Sequence, residues 1–111
     1  MGWLFSYEGL PIKPENLMNH ILNISDKLKK ITKLTEYLVV RILEKKNIFL
    51  KAFVKFEKDL KITGKELGDI FAFKLEDNII IKPSVYKARS WKVLIKYTEN
   101  DDDDYFCSFD V

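Results

Sequence analysis

Cys107 and His20 are the chain's only cysteine and its only histidine, and together they are its best candidates for nucleophilic catalysis. A cysteine thiol becomes a nucleophile when a neighbouring imidazole takes its proton, so a Cys–His dyad is the chemistry this pair could support. No catalytic motif surrounds either residue, and His20 lies between Leu17 and Ile21 on the apolar side of a predicted helix. This setting favours a histidine that packs against the core. We therefore expect no enzymatic activity and keep a small enzyme of unknown type as the second alternative.

Metal and cofactor chemistry has little support in the sequence. The single cysteine excludes an intrachain disulfide and a zinc cage built from cysteines. The acidic run at residues 100–104, which ends in four aspartates, offers oxygen ligands for calcium or magnesium. It lacks the glycine and the terminal glutamate of an EF-hand loop, and its like charges repel one another. We interpret it as a solvated loop and expect neither a metal ion nor a cofactor.

A face of alternating aromatic and basic residues is the most suggestive surface in the sequence. Residues 47–58 alternate strictly, which predicts a half-buried strand whose side chains point to opposite faces. One side carries the candidate binding residues, which we call the aromatic–lysine face: Phe49, Lys51, Phe53 and Lys55. The other side is expected to be the better buried and carries Ile48, Leu50, Ala52, Val54 and Phe56.

The aromatic–lysine face has two interpretations. Aromatic rings beside lysines resemble in kind the platforms on which single-stranded bases stack while the cations contact phosphates. Alternatively, Phe49 and Phe53 belong to the core or to a protein interface, and the lysine stems lie across its rim. We favour the second interpretation, because the sequence carries no signature of an RNA-recognition module. Another protein is thus the preferred partner, and nucleic acid is the less favoured one.

An amphipathic helix over residues 14–31 is the element expected to cover the sheet. Pro14 suits the first helical position, and Glu15 suits the positive end of the helix dipole. Apolar residues then recur at spacings of four, three, four and three, which is one face of a helix: Leu17, Ile21, Ile24, Leu28 and Ile31. A short helical turn is expected near residues 64–67, because Thr63 and Glu66 have the spacing of a capping box.

The rest of the chain is predicted to consist mainly of strands. Residues 35–46 fit either a longer helix or a strand, and the strand formers Tyr37, Val39 and Val40 favour a hairpin with residues 47–58. The other predicted strands cover residues 3–7, 69–75, 79–82, 90–98 and 105–110. The expected fold is α+β, with one principal helix packed on an antiparallel sheet of six or seven strands.

Length and composition predict a single domain, residues 1–111, that acts in the cytoplasm. The net charge of +2 is too small to attract the protein strongly to nucleic acid or to a membrane. Arg41 and Arg89 are the only arginines beside many lysines, which weighs against dedicated base recognition. No apolar run approaches the length of a transmembrane span, and no signal-peptide pattern is visible. We expect no membrane association, and a homodimer is compatible with these features.

The opening residues Met1, Gly2, Trp3, Leu4 and Phe5, followed by an amphipathic helix, resemble the start of uncharacterised small bacterial and phage proteins that begin Met-Gly-Trp. The resemblance covers the N-terminal quarter of the chain and carries over no functional residue. It implies a phage or mobile-element source, from which small proteins often act as inhibitors or adaptors. Our leading hypothesis is a non-enzymatic module that binds a host protein, such as a component of host defence. Single-stranded nucleic-acid binding is the alternative.

Overall fold

The computed structural model describes residues 2–8, 12–44, 47–58, 60–90 and 104–109. Along these residues the elements are β1 (Gly2–Glu8), α1 (Pro14–Leu28), β2 (Leu34–Glu44), β3 (Asn47–Phe56), α2 (Gly64–Ile70), β4 (Phe73–Glu76), β5 (Ile79–Ile81), β6 (Ser84–Ala88) and β7 (Asp104–Phe109). Five strands form an antiparallel main sheet in the order β6-β1-β3-β2-β7. Strands β4 and β5 form a separate antiparallel hairpin. The α+β class is confirmed. Within the described residues, the expected single sheet of six or seven strands is corrected to a sheet of five strands and a separate two-stranded hairpin.

The centre of the main sheet is the β2–β3 hairpin that the alternation predicted. Tyr37 pairs with Val54 and Val39 pairs with Ala52, so β2 and β3 bury the same face of the sheet. Branched and aromatic side chains pack well on such a pleated surface, which explains why residues 34–44 form a strand. The alternative of one long helix through residue 46 is wrong.

Helix α1 lies on this buried face and is shorter than its apolar spacing predicted. Its buried positions are Leu17, Ile21, Ile24 and Leu28, but Ile31 is 64% exposed because the helix ends at Leu28. The backbone N–H of Glu57 donates to the carbonyl of Lys33 at 2.6 Å. The chain must therefore turn toward the end of β3 immediately after the helix, and this tertiary contact overrides the helical periodicity.

Helix α2 begins where the capping box predicted and continues further than expected. The Oγ1 of Thr63 accepts a hydrogen bond from the backbone N–H of Glu66 at 3.2 Å. Leu67 and Gly68 are buried, so packing carries the helix through a second turn to Ile70. The strand predicted from residue 69 consequently begins only at Phe73.

The C-terminal strands agree in part with those predicted from the sequence. Strand β6 was not predicted, because only Val85 and Ala88 of its residues are half-buried and they produce no alternating apolar pattern. Of the strand predicted at residues 90–98, residue 90 is not in a strand, and residues 91–98 lie outside the described part of the chain. The last predicted strand, residues 105–110, corresponds to β7.

The core occupies both faces of the main sheet. The larger cluster joins α1, α2 and the inner sheet face, and it includes the fully buried Val54 and the nearly buried Phe56, as expected for that side of β3. Ile48, expected on the same side, is partly exposed at the hairpin end. A smaller cluster lies on the opposite face and consists of Leu38, Val40, Ile42 and Phe53. Among the described residues, no helix has the length and apolarity needed to span a membrane.

Candidate functional site

The aromatic–lysine face is not an open platform. Phe53 is 0% exposed, Phe49 and Lys51 are half-buried, and Lys55 is exposed. Phe53 lies between Leu4 of β1 and Leu38 of β2, so its ring packs into the smaller core cluster. A buried ring cannot stack on a base, and the joint exposure that single-strand binding requires is not present. The preferred interpretation, in which Phe53 is a core residue, agrees with this burial.

Among the described residues, the predicted chemistry-bearing residues are not brought together. Cys107 belongs to β7, where its backbone pairs with Leu38. His20 instead lies on α1, against Phe71 and Phe73. Asp101, Asp102 and Asp103 of the acidic run lie outside the described residues, and Asp104 begins β7. No group of three potential metal ligands is found in the described part of the chain.

The imidazole of His20 shares a hydrogen-bond acceptor, a backbone carbonyl, with Tyr7 at the edge of the core. The carbonyl of Phe71 accepts the hydroxyl of buried Tyr7 at 2.8 Å, and Nε2 of His20 lies 3.2 Å from the same oxygen. Because a carbonyl can only accept, Nε2 of His20 must carry a proton and donate it. The His20 ring also meets the ring of Phe73 edge-to-face, with centroids 5.0 Å apart. His20 therefore joins α1 to the segment between α2 and β4.

An open cleft of about 460 Å³ lies beside His20, between α1 and the start of β4. We call it the asparagine cleft, because three asparagines of α1 form one wall. Its polar lining consists of Asn16, Asn19, His20, Asn23, Lys27 and Lys74, and its apolar lining consists of Ile24, Ile70, Ala72 and Phe73. A concave site with a partly apolar floor and several polar groups is typical of ligand-binding surfaces.

The described lining of the asparagine cleft carries positive charge. Lys27 of α1 and Lys74 of β4 are its charged members, and none of these lining residues is acidic. Lys74 also lies 3.7 Å from a carboxylate oxygen of Asp77, in a pair whose two side chains are largely exposed. An exposed pair of this kind contributes little free energy, so Lys74 can exchange Asp77 for another carboxylate at small cost.

A second cleft of about 350 Å³ lies between α2 and the segment that leads into β6. Its described charged residues include Lys82 and Asp69, whose side chains form an ion pair at 3.1 Å. Lys65 also lines this cleft. Because Lys82 and Asp69 largely neutralise each other, this second cleft discriminates less between ligand charges than the asparagine cleft does.

The outer face of the β4–β5 hairpin continues from the asparagine cleft. Lys74 pairs with Ile80 across the hairpin, so the two side chains share a face. Ile80 is 58% exposed on this face, and the preceding Ile79, whose side chain points to the opposite face of the strand, is 40% exposed. On that opposite face, Ile81 is buried and pairs with Phe73. We call the exposed residues Lys74, Ile79 and Ile80 of this hairpin the hairpin surface.

Sequence reasoning did not identify the asparagine cleft. The available signal was the spacing of Asn16, Asn19 and Asn23, which places three carboxamides on one side of α1. The opposite wall comes from β4, about fifty residues later in the chain, and no local pattern brings β4 to α1.

The titration of His20 provides a direct test of its environment. Burial lowers the pKa of His20 below its ordinary value of 6.5, and nearby Lys27 lowers it further, against the opposing effect of hydrogen bonds to the backbone of Phe71 and Ala72. Between the folded and unfolded pKa values, the unfolded chain binds more protons. The stabilising effect of the neutral imidazole is therefore complete above about pH 6.5 and declines as the pH falls toward the folded pKa.

NMR can follow this titration without ambiguity, because His20 is the only histidine. We expect a midpoint below 6.5 in the folded protein. Just below about pH 6.5, the melting temperature of the variant His20→Gln should depend less on pH than that of the parent chain does. A midpoint at or above the ordinary value would contradict the burial of the imidazole.

Comparison with known proteins adds no family assignment: no protein-family model matches the chain, and no curated protein is significantly similar to it in sequence.

Proposed function

We propose that this protein is a non-enzymatic binding module, an adaptor or inhibitor that acts on another protein through the hairpin surface and the adjoining asparagine cleft. The observation that carries the proposal is the adjacent exposure of Ile79 and Ile80 on a short hairpin beside an open polar cleft. Single exposed apolar side chains are common, but two exposed isoleucines on one short hairpin beside a cleft favour a contact surface.

The chemistry of this surface favours a protein partner. Apolar side chains at its centre would be removed from water on binding, at about 25 cal/mol for each Å² of apolar surface. Lys74 supplies a charged rim beside Ile80. An apolar centre with a polar rim is the usual anatomy of a protein–protein interface.

The source and partner class rest on the N-terminal resemblance. The opening residues Met1, Gly2 and Trp3 support a phage or mobile-element origin, as described above. On that basis, the partner is a host protein, and the place of action is the cytoplasm. The burial of Phe53 disfavours the nucleic-acid alternative, because it removes one of the two rings on which that alternative depended.

Affinity capture with matched variants tests the proposal. The parent chain, Ile80→Gln and Tyr86→Gln are used to recover proteins from cells that produce the chain. Tyr86 is a suitable control because it is 59% exposed on β6, a strand of the main sheet that does not belong to the hairpin. We expect a stoichiometric partner whose recovery falls about tenfold with Ile80→Gln, the effect of losing about 1.4 kcal/mol of binding free energy, and is unchanged with Tyr86→Gln.

Two results would overturn the proposal. One is the absence of any stoichiometric partner of the parent chain. The other is an equal effect of the two substitutions, which would show that the hairpin surface has no special part in binding.

A further inference from the structure

We propose that the asparagine cleft holds an extended acidic segment of the partner polypeptide, with Lys27 and Lys74 binding its carboxylates and the asparagine carboxamides binding its backbone. This inference rests on the proposed function, because it specifies which part of a protein partner enters the cleft.

The shape of the cleft suits an extended chain. Its helical wall runs along α1 from Asn16 to Lys27. Eleven helical steps cover about 16 Å, because an α-helix rises 1.5 Å per residue. An extended segment of about five residues has the same length. A groove of this length is larger than a compact anion needs, and it matches a short stretch of polypeptide.

The asparagines supply what the backbone of such a segment requires. A carboxamide offers both N–H donors and a carbonyl acceptor, so it can satisfy a peptide carbonyl and a peptide N–H. Asn16, Asn19 and Asn23 are all exposed along the wall of the cleft. Their spacing of three and four residues keeps them on one side of α1. Ile24 and the ring of Phe73 provide apolar surface below them.

The charges determine the sign of the ligand. Lys27 and Lys74 stand on opposite walls, one from α1 and the other from β4, and no described lining residue is acidic. A chain lying between the two walls can therefore place carboxylates against both ammonium groups. The segment bound here is acidic, because both ammonium groups would repel a basic segment, whereas an acidic one can replace the exposed Asp77 beside Lys74.

The lining chemistry favours a carboxylate-bearing polypeptide over a phosphate. Phosphate recognition commonly uses the fork of arginine or the free N–H groups at a helix N-terminus. The described lining contains no arginine, and although Asn16 lies in the first turn of α1, its backbone N–H already donates to the carbonyl of Lys13. Lysines with carboxamides fit carboxylates and peptide groups instead.

NMR titration of the full 15N-labelled chain tests the inference with defined probes. The probe is a capped hexaglutamate peptide, the uncharged comparison is capped hexaglutamine, and inorganic phosphate is a separate arm. We expect hexaglutamate to produce saturable shifts in the side-chain amide signals of Asn16, Asn19 and Asn23. Hexaglutamine and phosphate at the same concentrations should produce none.

Charge variants localise the binding. Lys27→Gln and Lys74→Gln should each weaken hexaglutamate binding up to about fivefold, the factor for an exposed ion pair, and together by roughly twentyfold. Lys30→Gln removes an exposed charge just beyond α1, outside the cleft lining, and should leave the affinity unchanged.

Three results would overturn the inference: no saturable shift with hexaglutamate, an equal loss of affinity in Lys30→Gln, or reproduction of the shifts by phosphate. If hexaglutamate fails to bind while Ile80→Gln still lowers partner recovery about tenfold, the acidic-segment inference is wrong and the proposed function stands. If Ile80→Gln and Tyr86→Gln capture the partner equally, the proposed function itself fails.

Discussion

Replacing Phe53 with alanine should lower the free energy of unfolding by about 3–5 kcal/mol, the range for deleting a fully buried aromatic ring. Phe53 has no exposed surface and lies between the facing residues Leu4 and Leu38. The space around its ring is already full, because a Cβ added to Gly2 would lie within 2.6 Å of a ring carbon. Little relaxation can therefore fill the cavity that the substitution leaves. Equilibrium urea denaturation measures the loss.

Phe49→Ala is the matched control for Phe53→Ala. Phe49 lies on the same strand and face but is half-buried, so its removal should cost only about 1–2 kcal/mol. A loss below about 1 kcal/mol for Phe53→Ala would show that its ring faces solvent. That result would restore the open aromatic platform and, with it, the nucleic-acid alternative.

Replacing Phe71 with alanine should be comparably damaging, at about 3–5 kcal/mol. Its ring is 1% exposed and lies 4.3 Å, centroid to centroid, from the ring of Phe5. Its backbone N–H donates to the carbonyl of Leu67 and so ends α2, and its own carbonyl accepts hydrogen bonds from Tyr7 and His20. The substitution keeps these backbone groups but removes the packing that holds them in place.

Denaturation and the NMR signals of His20 together distinguish the role of the Phe71 ring from that of the neighbouring Phe73 ring. Phe73 is half-buried and meets the His20 ring edge-to-face. Phe73→Ala should therefore cost only about 1–2 kcal/mol and still shift the NMR signals of His20. Phe71→Ala should change both stability and the His20 titration. If the two substitutions were equally mild in denaturation, the position of Phe71 in the core would be wrong.

The fold was predictable where a local period was strong. Alternation over residues 47–58 and the strand formers of residues 35–46 correctly identified the β2–β3 hairpin. Pro14 correctly identified the start of α1, and Thr63 the start of α2. Each of these sequence features specifies structure within a few residues of itself. Tertiary contacts therefore did not override it.

Features that depend on distant contacts were not predictable. Helix α1 ends early because Lys33 is tied to Glu57 across the chain. The same alternation that identified β3 could not distinguish a solvated face from a second core, and the burial of Phe53 depends on residues of β1 and β2. Strand β6 is half-buried at only two positions, too few to produce an alternating pattern.

The candidate site was even harder to predict from the sequence. Its walls come from α1 and β4, which the sequence places far apart, and its exposed apolar pair, Ile79 and Ile80, resembles an ordinary buried strand until the hairpin is seen. Only the three asparagines at helical spacing pointed toward it.

Site-specific photo-cross-linking tests whether the hairpin surface contacts a partner protein. A photoreactive phenylalanine derivative is placed at position 80 on the hairpin surface or at position 86 on β6, and cells that produce each chain are irradiated. We expect one covalent adduct of defined mass from position 80 and none from position 86. An adduct from position 86 alone, or an adduct from position 80 with the mass of two copies of this chain, would contradict a partner-binding role for the hairpin surface.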